Sequence, residues 1–419
     1  MSRLLLYILV SLSCLTGAYA AEVDTHTRIF SPDFKTLQVK IPENDQLPAF
    51  LILDTPGLLE ISFDELADQR RYLRYEIEHC DARWRPDGLV SSMFMDGFNV
   101  NDVDDVSFSQ ATCVNYVHYS IRIPNDRLRL KISGNYLLKV YDEYSPDEII
   151  LQARFQVCEN TVSVLGSVSP RTDIDYQDAH QQLSLIVEPK TIDISDPYRD
   201  VLVTVAQNSR TDNMRVLSAP MRIAGRKLYY EHSPLLIFPA GNEYRRFETV
   251  TINYPSMNVD EMSYVEPYYH ATLREDRQRS EDRYEFDKTQ HGRYRVREYN
   301  SDAPDTEADY ILTHFTLDMD EMPGYDIFIE GDLTDRQFDP SSRMVFDRGL
   351  RRYVGSLLLK QGSYNYQYVA VPAGSETGLT APVEGDYYQT INEYTVCVYY
   401  RKPGELFDRL VGFADFLSN

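Results

Sequence analysis

The chain has 419 residues, 42 of them basic and 65 acidic, for a net charge of −23. That balance excludes binding nucleic acid through its phosphates, which needs a basic footprint, and attraction to an anionic membrane surface. It suits a soluble body, or one that docks onto a basic patch of a partner, and the length predicts two or three domains.

Residues 1–20 read as a secretory signal peptide. Arg3 supplies the positive start, residues 4–15 an apolar run too short to span a bilayer, and Ala18-Tyr19-Ala20 a small-x-small cleavage site. The mature chain then starts near Ala21, without the charge of Arg3, and is exported. The rival reading is a lipoprotein anchored through Cys14, but Ser11 stands where a lipobox prefers a leucine-like residue. No later stretch has the length and apolarity of a membrane helix.

From there the apolar period is two almost throughout. In "YLRYEIEH", Leu73, Tyr75 and Ile77 alternate with Arg74, Glu76 and Glu78; "NYVHYSIRI", "NYLLKVYDE", "SLIVEP", "VLVTVAQ" and "NEYTVCVYY" read alike. Each run is short and bounded by Gly, Pro, Asn or Asp, which predicts strands. Helical signals are scarce; residues 63–72, "FDELADQRRY", are expected to form a turn or two of helix. The expected fold is all-β, with tandem antiparallel immunoglobulin-like β-sandwich domains of the early-set type.

The stretch "HCDARWRPDG" concentrates His79, Cys80, Asp81 and the only tryptophan, Trp84. These types together raise the question of a thiol nucleophile with its base, or of a metal site. Strand geometry answers against both. Neighbours in a strand point to opposite faces, so His79 continues the face of Ile77 while Cys80 points away. "RPDG" is a turn signal, and Trp84 is expected to close one end of a core. His118, on the face of Tyr116, would need a further ligand to hold a metal. Cys80, Cys113, Cys158 and Cys397 show no zinc spacing and are too few for a disulfide scaffold. There is no G-x-S-x-G elbow, P-loop or dinucleotide-binding glycine motif. No catalytic residue, metal ligand or cofactor is expected.

The blocks are read as residues 21–165, 166–300 and 301–419. Residues 166–180 look like a linker, 273–299 like a solvated charged hairpin or loop, and 300–309 like a second linker. The third block, with "YDIFIEGDLTDRQFD", resembles the early-set sandwich of carbohydrate-binding accessory modules. Those modules carry a tryptophan after the first-strand glycine; here Leu333-Thr334-Asp335-Arg336 follow Gly331 and Asp332. A secreted carbohydrate-binding accessory protein is the alternative reading. There are 32 tyrosines, and 33 of the 42 basic residues are arginine. Tyr and Arg are enriched at protein interfaces, although tyrosine is also a strong strand former.

Several motifs in order resemble the type IX secretion system plug protein family of Bacteroidetes. They are His79, Cys80, Asp81 and Trp84; Gly97 and Phe98; Tyr116, His118 and Tyr119; Ser133, Gly134, Asn135 and Tyr136; and "LLLKQGSYNYQY" with Gln361, Gly362, Tyr364 and Tyr366. The resemblance covers nearly all of the mature chain. It implies a non-enzymatic plug in the periplasm, associated with the outer membrane. The plug would cap a large β-barrel translocon, as a monomer within the complex and without a membrane span of its own. The motif residues are then expected to fix the fold. The candidate docking residues lie in two hydrophilic segments: Asp102, Asp104, Asp105 and Phe108 in the first, and Arg277, Arg279 and Arg283 in the second.

Overall fold

The computed structural model describes residues 24–42 and 48–418; the expected leader lies outside them. The regular structure of the described chain is almost all strand, with three four-residue helices, Ser91–Phe94, Pro197–Asp200 and Pro304–Glu307, and two short 3₁₀ turns. The period-two pattern is the cause. In Leu73–Cys80, for example, Leu73, Tyr75, Ile77 and His79 are buried and the residues between the first three are half-buried.

The helix expected at residues 63–72 is not formed. Leu59–Glu65 is a strand buried at all seven positions, lying between Phe34–Lys40 and Val117–Ile123. A strand covered on both faces loses the alternation that marks it, so Asp64 and Glu65 read as the polar side of a helix.

Three apolar cores organise the strands. The first lies between two mainly antiparallel sheets. One runs Arg28–Ile29, Ser145–Cys158, Gly134–Asp142, Leu73–Cys80, Asn101–Asp102; the other runs Phe34–Lys40, Leu59–Glu65, Val117–Ile123, Asp105–Phe108. Ile77, Tyr136 and Phe155 meet Phe63, Tyr119 and Ile121 in this core. The second core lies between Val162–Ser169 with His180–Pro189 and its neighbours, and a four-stranded sheet of Arg215–Leu217, Val201–Gln207, Glu393–Tyr400 and Arg409–Leu417. The third is enclosed by one ten-stranded sheet. That sheet folds over itself: Phe247 in Arg245–Glu248 and Phe315 in Tyr310–Asp318, far apart in strand order, have ring centroids 5.7 Å apart.

The pairing does not follow the expected blocks 166–300 and 301–419. Glu393–Tyr400 leaves the C-terminal block and pairs with Val201–Gln207, while Arg245–Glu248 and Tyr268–Leu273 join the third sheet. Turn signals mark where a chain bends, not which strand it next pairs with. Val201–Gln207 has the three-residue strand Arg215–Leu217 on one edge, and the C-terminal hairpin covers the other.

The charged segment at 273–299, expected as a solvated hairpin or loop, is a loop strapped to the body. Asp276–Arg277 pairs parallel with Tyr310–Asp318, and Tyr294–Val296 pairs antiparallel with Gly362–Pro372. Buried carboxylates tie it down. Glu384, 0 % exposed, accepts from Arg245 Nε at 3.0 Å, Arg279 Nε at 2.7 Å and the Tyr368 N–H at 2.8 Å. Tyr284 Oη donates to Glu243 Oε1 at 2.7 Å, and Arg246 forks onto Asp287. Alternating charge reads as a solvated face until its partners are known.

The first and third cores are joined around Asp64, which is also 0 % exposed. Its Oδ2 accepts from Lys360 Nζ at 2.6 Å and from Tyr310 Oη at 2.7 Å; its Oδ1 stands 2.7 Å from His118 Nδ1. Burial works to raise the Asp64 pKa, but Lys360 and His118 outweigh it and hold the carboxyl below its ordinary value. Burial pulls Lys360 down, with Asp64 opposing. Lys360 also donates to the Asp305 carbonyl at 2.6 Å and lies 4.1 Å over the Tyr116 ring.

Two outcomes are expected. Lys360→Met strands a charge in a dry site and should cost about 3–5 kcal/mol in urea unfolding, whereas Asp64→Asn/Lys360→Met should cost clearly less; equal losses would refute the ion pair's role. For Glu384, burial raises the pKa but Arg245 and Arg279 outweigh it, bringing it to about 2 from an ordinary 4.5. A depressed carboxyl stabilises fully above its unfolded pKa and loses that contribution as pH falls through the folded one. Stability should therefore drop between pH 4.5 and 2, with a shallower slope in Glu384→Gln, read by denaturant midpoints across that range.

Candidate docking surface

The His79 cluster holds the fold. His79 is 1 % exposed, with Nδ1 2.5 Å from Asp87 Oδ2 and Nε2 3.2 Å from the Ser133 carbonyl. Its ring meets Tyr136 edge-on at 5.0 Å. Gly134 is required beside it: φ is +143°, and a Cβ there would lie 2.3 Å from His79 Nε2. Cys80 is buried on the opposite side, and burial pushes its thiol up to about 12, so it holds no thiolate for nucleophilic attack. Asp81 Oδ1 accepts from the N–H groups of Arg83 and Arg85 and closes a tight turn. Trp84, in that turn at φ +64°, is buried just past the end of its strand. The Arg154 guanidinium covers its ring at 4.5 Å, anchored on Thr25 at 2.6 and 2.9 Å.

The remaining motifs tie cores together. Asn135 Nδ2 donates to the Asp81 carbonyl, and its Oδ1 accepts from Tyr399 Oη at 2.8 Å, linking the first core to the second. Ser133 Oγ donates to Glu159, which also pairs with Arg409. Tyr116 Oη donates to the Ala308 carbonyl, and Tyr119 Oη to Glu65. Gln361 Oε1 accepts from the Asp309 N–H. Gly362 passes so close to Arg295 that a Cβ would lie 2.4 Å from its carbonyl oxygen. Tyr364 Oη donates to the Lys360 carbonyl, and Tyr366 Oη to Asp276. Among the described residues no group of three or more His, Cys, Asp or Glu could hold a metal.

Gly97 and Phe98 behave differently. Phe98, expected as a fold residue, is 73 % exposed, and Val90, Met93 and Val100 beside it are also exposed. The backbone beneath them is locked. Met95–Gly97 pairs with Leu128–Leu130. The Phe98 N–H donates to the Arg127 carbonyl at 3.0 Å, Asn101 Nδ2 donates to the Phe98 carbonyl at 2.6 Å, and Asn99 Oδ1 accepts from the Ile77 N–H at 3.1 Å. Gly97, at φ +105°, lies so near Arg127 that a Cβ would sit 1.9 Å from its carbonyl oxygen. Phe94 and Met95 root the segment in the first core. The result is a rigid apolar knob, four exposed apolar side chains within residues 90–100 that no core uses.

The expected docking acids follow it in the chain, but none stands alone. Asp102 pairs with Arg74 at 3.0 Å, Asp104 with Arg127 at 3.0 Å and Asp105 with Arg122 at 3.6 Å. Such exposed pairs hold weakly and exchange readily. Phe108 is exposed at the sheet edge nearby in the chain. On the strap, Arg277 and Arg283 are exposed, but Arg279 is committed to Glu384 and the Glu243 carbonyl, which corrects its assignment as a docking residue. Val90 and Met93 were missed because exposure leaves no trace in composition, whereas Val100 lies in the segment 95–110 expected to dock; their one signal is "VSSMFMDGFNV", apolar residues out of alternation around a glycine.

Residues 34–159 match the family model described as "Type 9 secretion system plug protein 1st domain". The chain is 40 % identical to a hypothetical protein from Parabacteroides merdae ATCC 43184 of known crystal structure, over 94 % of this chain and 100 % of that one, with a TM-score of 0.93. Two further solved structures match far more weakly. They are an alkylpurine DNA glycosylase, AlkC, from Pseudomonas fluorescens (13 % identity over 30 % of each chain, TM-score 0.18) and a collagen adhesin from S. aureus (8 % over 92 % of each, TM-score 0.12). No curated protein matches. The chain belongs to the type 9 secretion system plug protein family.

Proposed function

We propose that this chain is a non-enzymatic cap on the periplasmic mouth of the outer-membrane β-barrel translocon of type IX secretion, closing it when no cargo passes. The observation that carries the reading is the rigid knob at Phe98, which lies inside the family-matched residues 34–159 and whose exposed side chains no core uses. A cap needs a stiff body, supplied by three joined cores, and a contact that forms and releases. An apolar anchor on a fixed backbone supplies binding energy without the entropy cost of ordering a loop. The acidic rim of Asp96, Asp102 and Asp104, each exposed and loosely paired, favours a partner with basic residues around an apolar socket and speeds encounter.

The test is a mild-detergent pull-down of the tagged protein from native envelope membranes. A single very large barrel protein should co-purify with the wild type. Phe98→Ser/Val100→Ser should reduce its recovery by about tenfold or more, the effect of losing a central interface anchor, with the melting temperature unchanged. Recovery of the wild type alone would sink the cap reading; undiminished recovery with the variant would move the docking face elsewhere.

A further inference from the structure

We propose that His270 and His314 form a binding site for a divalent late-transition-metal ion, with two protein donors and the other coordination positions open. The site is independent of the cap reading. Tyr268–Leu273 and Tyr310–Asp318 run side by side in parallel, with Thr272 opposite His314, so the two histidines share one face. Ala271, Leu273, Ile311 and Phe315 fill the third core from the other face, which turns both imidazoles outward. There Nδ1 of His270 stands 2.8 Å from Nε2 of His314. The rings lie 26° apart in plane with centroids at 5.1 Å.

Two facing ring nitrogens at that distance share one proton, and a metal ion takes the proton's place. Zinc binds imidazole nitrogen at about 2.0–2.1 Å, and two such bonds at a tetrahedral angle span about 3.3 Å, so the rings part by only about half an ångström. The second shell is already present: Nδ1 of His314 stands 2.8 Å from Ser356 Oγ on the neighbouring strand. With His314 Nδ1–H donating to that hydroxyl, its Nε2 lone pair faces His270, the arrangement that orients a ligating imidazole. His270 presents its own lone pair when its proton moves from Nδ1 to Nε2 through solvent; a neutral pair releases no net proton on loading.

The state that binds metal is the neutral one. A protonated imidazole has no lone pair to give, so a ligand histidine must be uncharged at the bonding nitrogen. Neither a carboxylate nor a thiol completes a three-donor group among the described residues. Two imidazoles alone select zinc, copper or nickel over magnesium and calcium, which prefer oxygen. Water, or a donor from a docked molecule, fills the open positions.

The experiment is calorimetric titration of the untagged full chain with zinc chloride, and with magnesium chloride as control. The wild type should bind zinc saturably and ignore magnesium. His270→Gln and His314→Gln should each lose at least tenfold in affinity, and His180→Gln, at a separate surface pair with Asp175, should lose nothing. Absence of saturable zinc binding, or unchanged binding in His270→Gln, overturns the site. Should either variant fold poorly, X-ray absorption of the zinc-loaded wild type decides: two imidazole nitrogens near 2.0 Å support the site, and fewer overturn it.

Discussion

The Asp64 carboxylate is the point on which the assembly of the cores depends. A charge with no exposure to water is tolerable only if every lone pair is met. Here the partners come from two cores: His118 from the first, and Lys360 and Tyr310 from the strands of the third. Thr36, beside Asp64 in its own sheet, adds its hydroxyl 2.6 Å from Tyr310 Oη. Rotating one core against the other would leave an acid and an ammonium buried and unpaired. The Tyr-x-His-Tyr and Lys-Gln-Gly motifs, more than two hundred residues apart, are thus two halves of one junction. Gln361 and Gly362 follow from it, because the backbone next to Lys360 has to pass Asp309 on one side and Arg295 on the other.

The strands were legible because most are covered on one face, and a half-covered strand writes its geometry as alternation. Where coverage was complete the signal failed, as in Leu59–Glu65, whose buried acids looked like a helix's wet side. Pairing between distant strands was not legible at all. Nothing in "NEYTVCVYY" states that Val396 lies opposite Val205 rather than beside the strands just before it in sequence. Such a pairing is decided by which edge remains open once the local hairpins have formed, a property of the whole fold. The strap failed for a related reason: Arg279 and Arg283 are alike in sequence, and only the buried Glu384 distinguishes them.

The site was legible in the parts that the backbone dictates. Period two separated His79 from Cys80, and the structure places His79 in the first core and Cys80 behind it. The tight turn closes between Asp81 and Arg85, running into "RPDG", where the turn signal was read. Side-chain environment was not visible. Trp84 is buried, and the guanidinium over its face left no sign in the sequence. Phe98 was grouped with the fold residues around it, although only its backbone serves the fold. His270 and His314 attracted no attention, being forty-four residues apart in strands with no metal spacing. Parallel pairing alone brings them together, and parallel pairs leave no turn signature between their strands.

On the cap reading, the docking surface faces a constraint that this fold meets by separating backbone from side chain. At the knob, the main-chain groups of Phe98 are spent on Arg127 and Asn101, while the ring is left out. Covering or uncovering that ring therefore opens no core and breaks no backbone hydrogen bond. The free state leaves a small apolar patch exposed. Had the same apolar side chains sat on a loop ordered only by its partner, each docking would have to repay the loop's entropy. On the cap reading, holding the knob in its bound form beforehand makes affinity depend mainly on the fit of the socket.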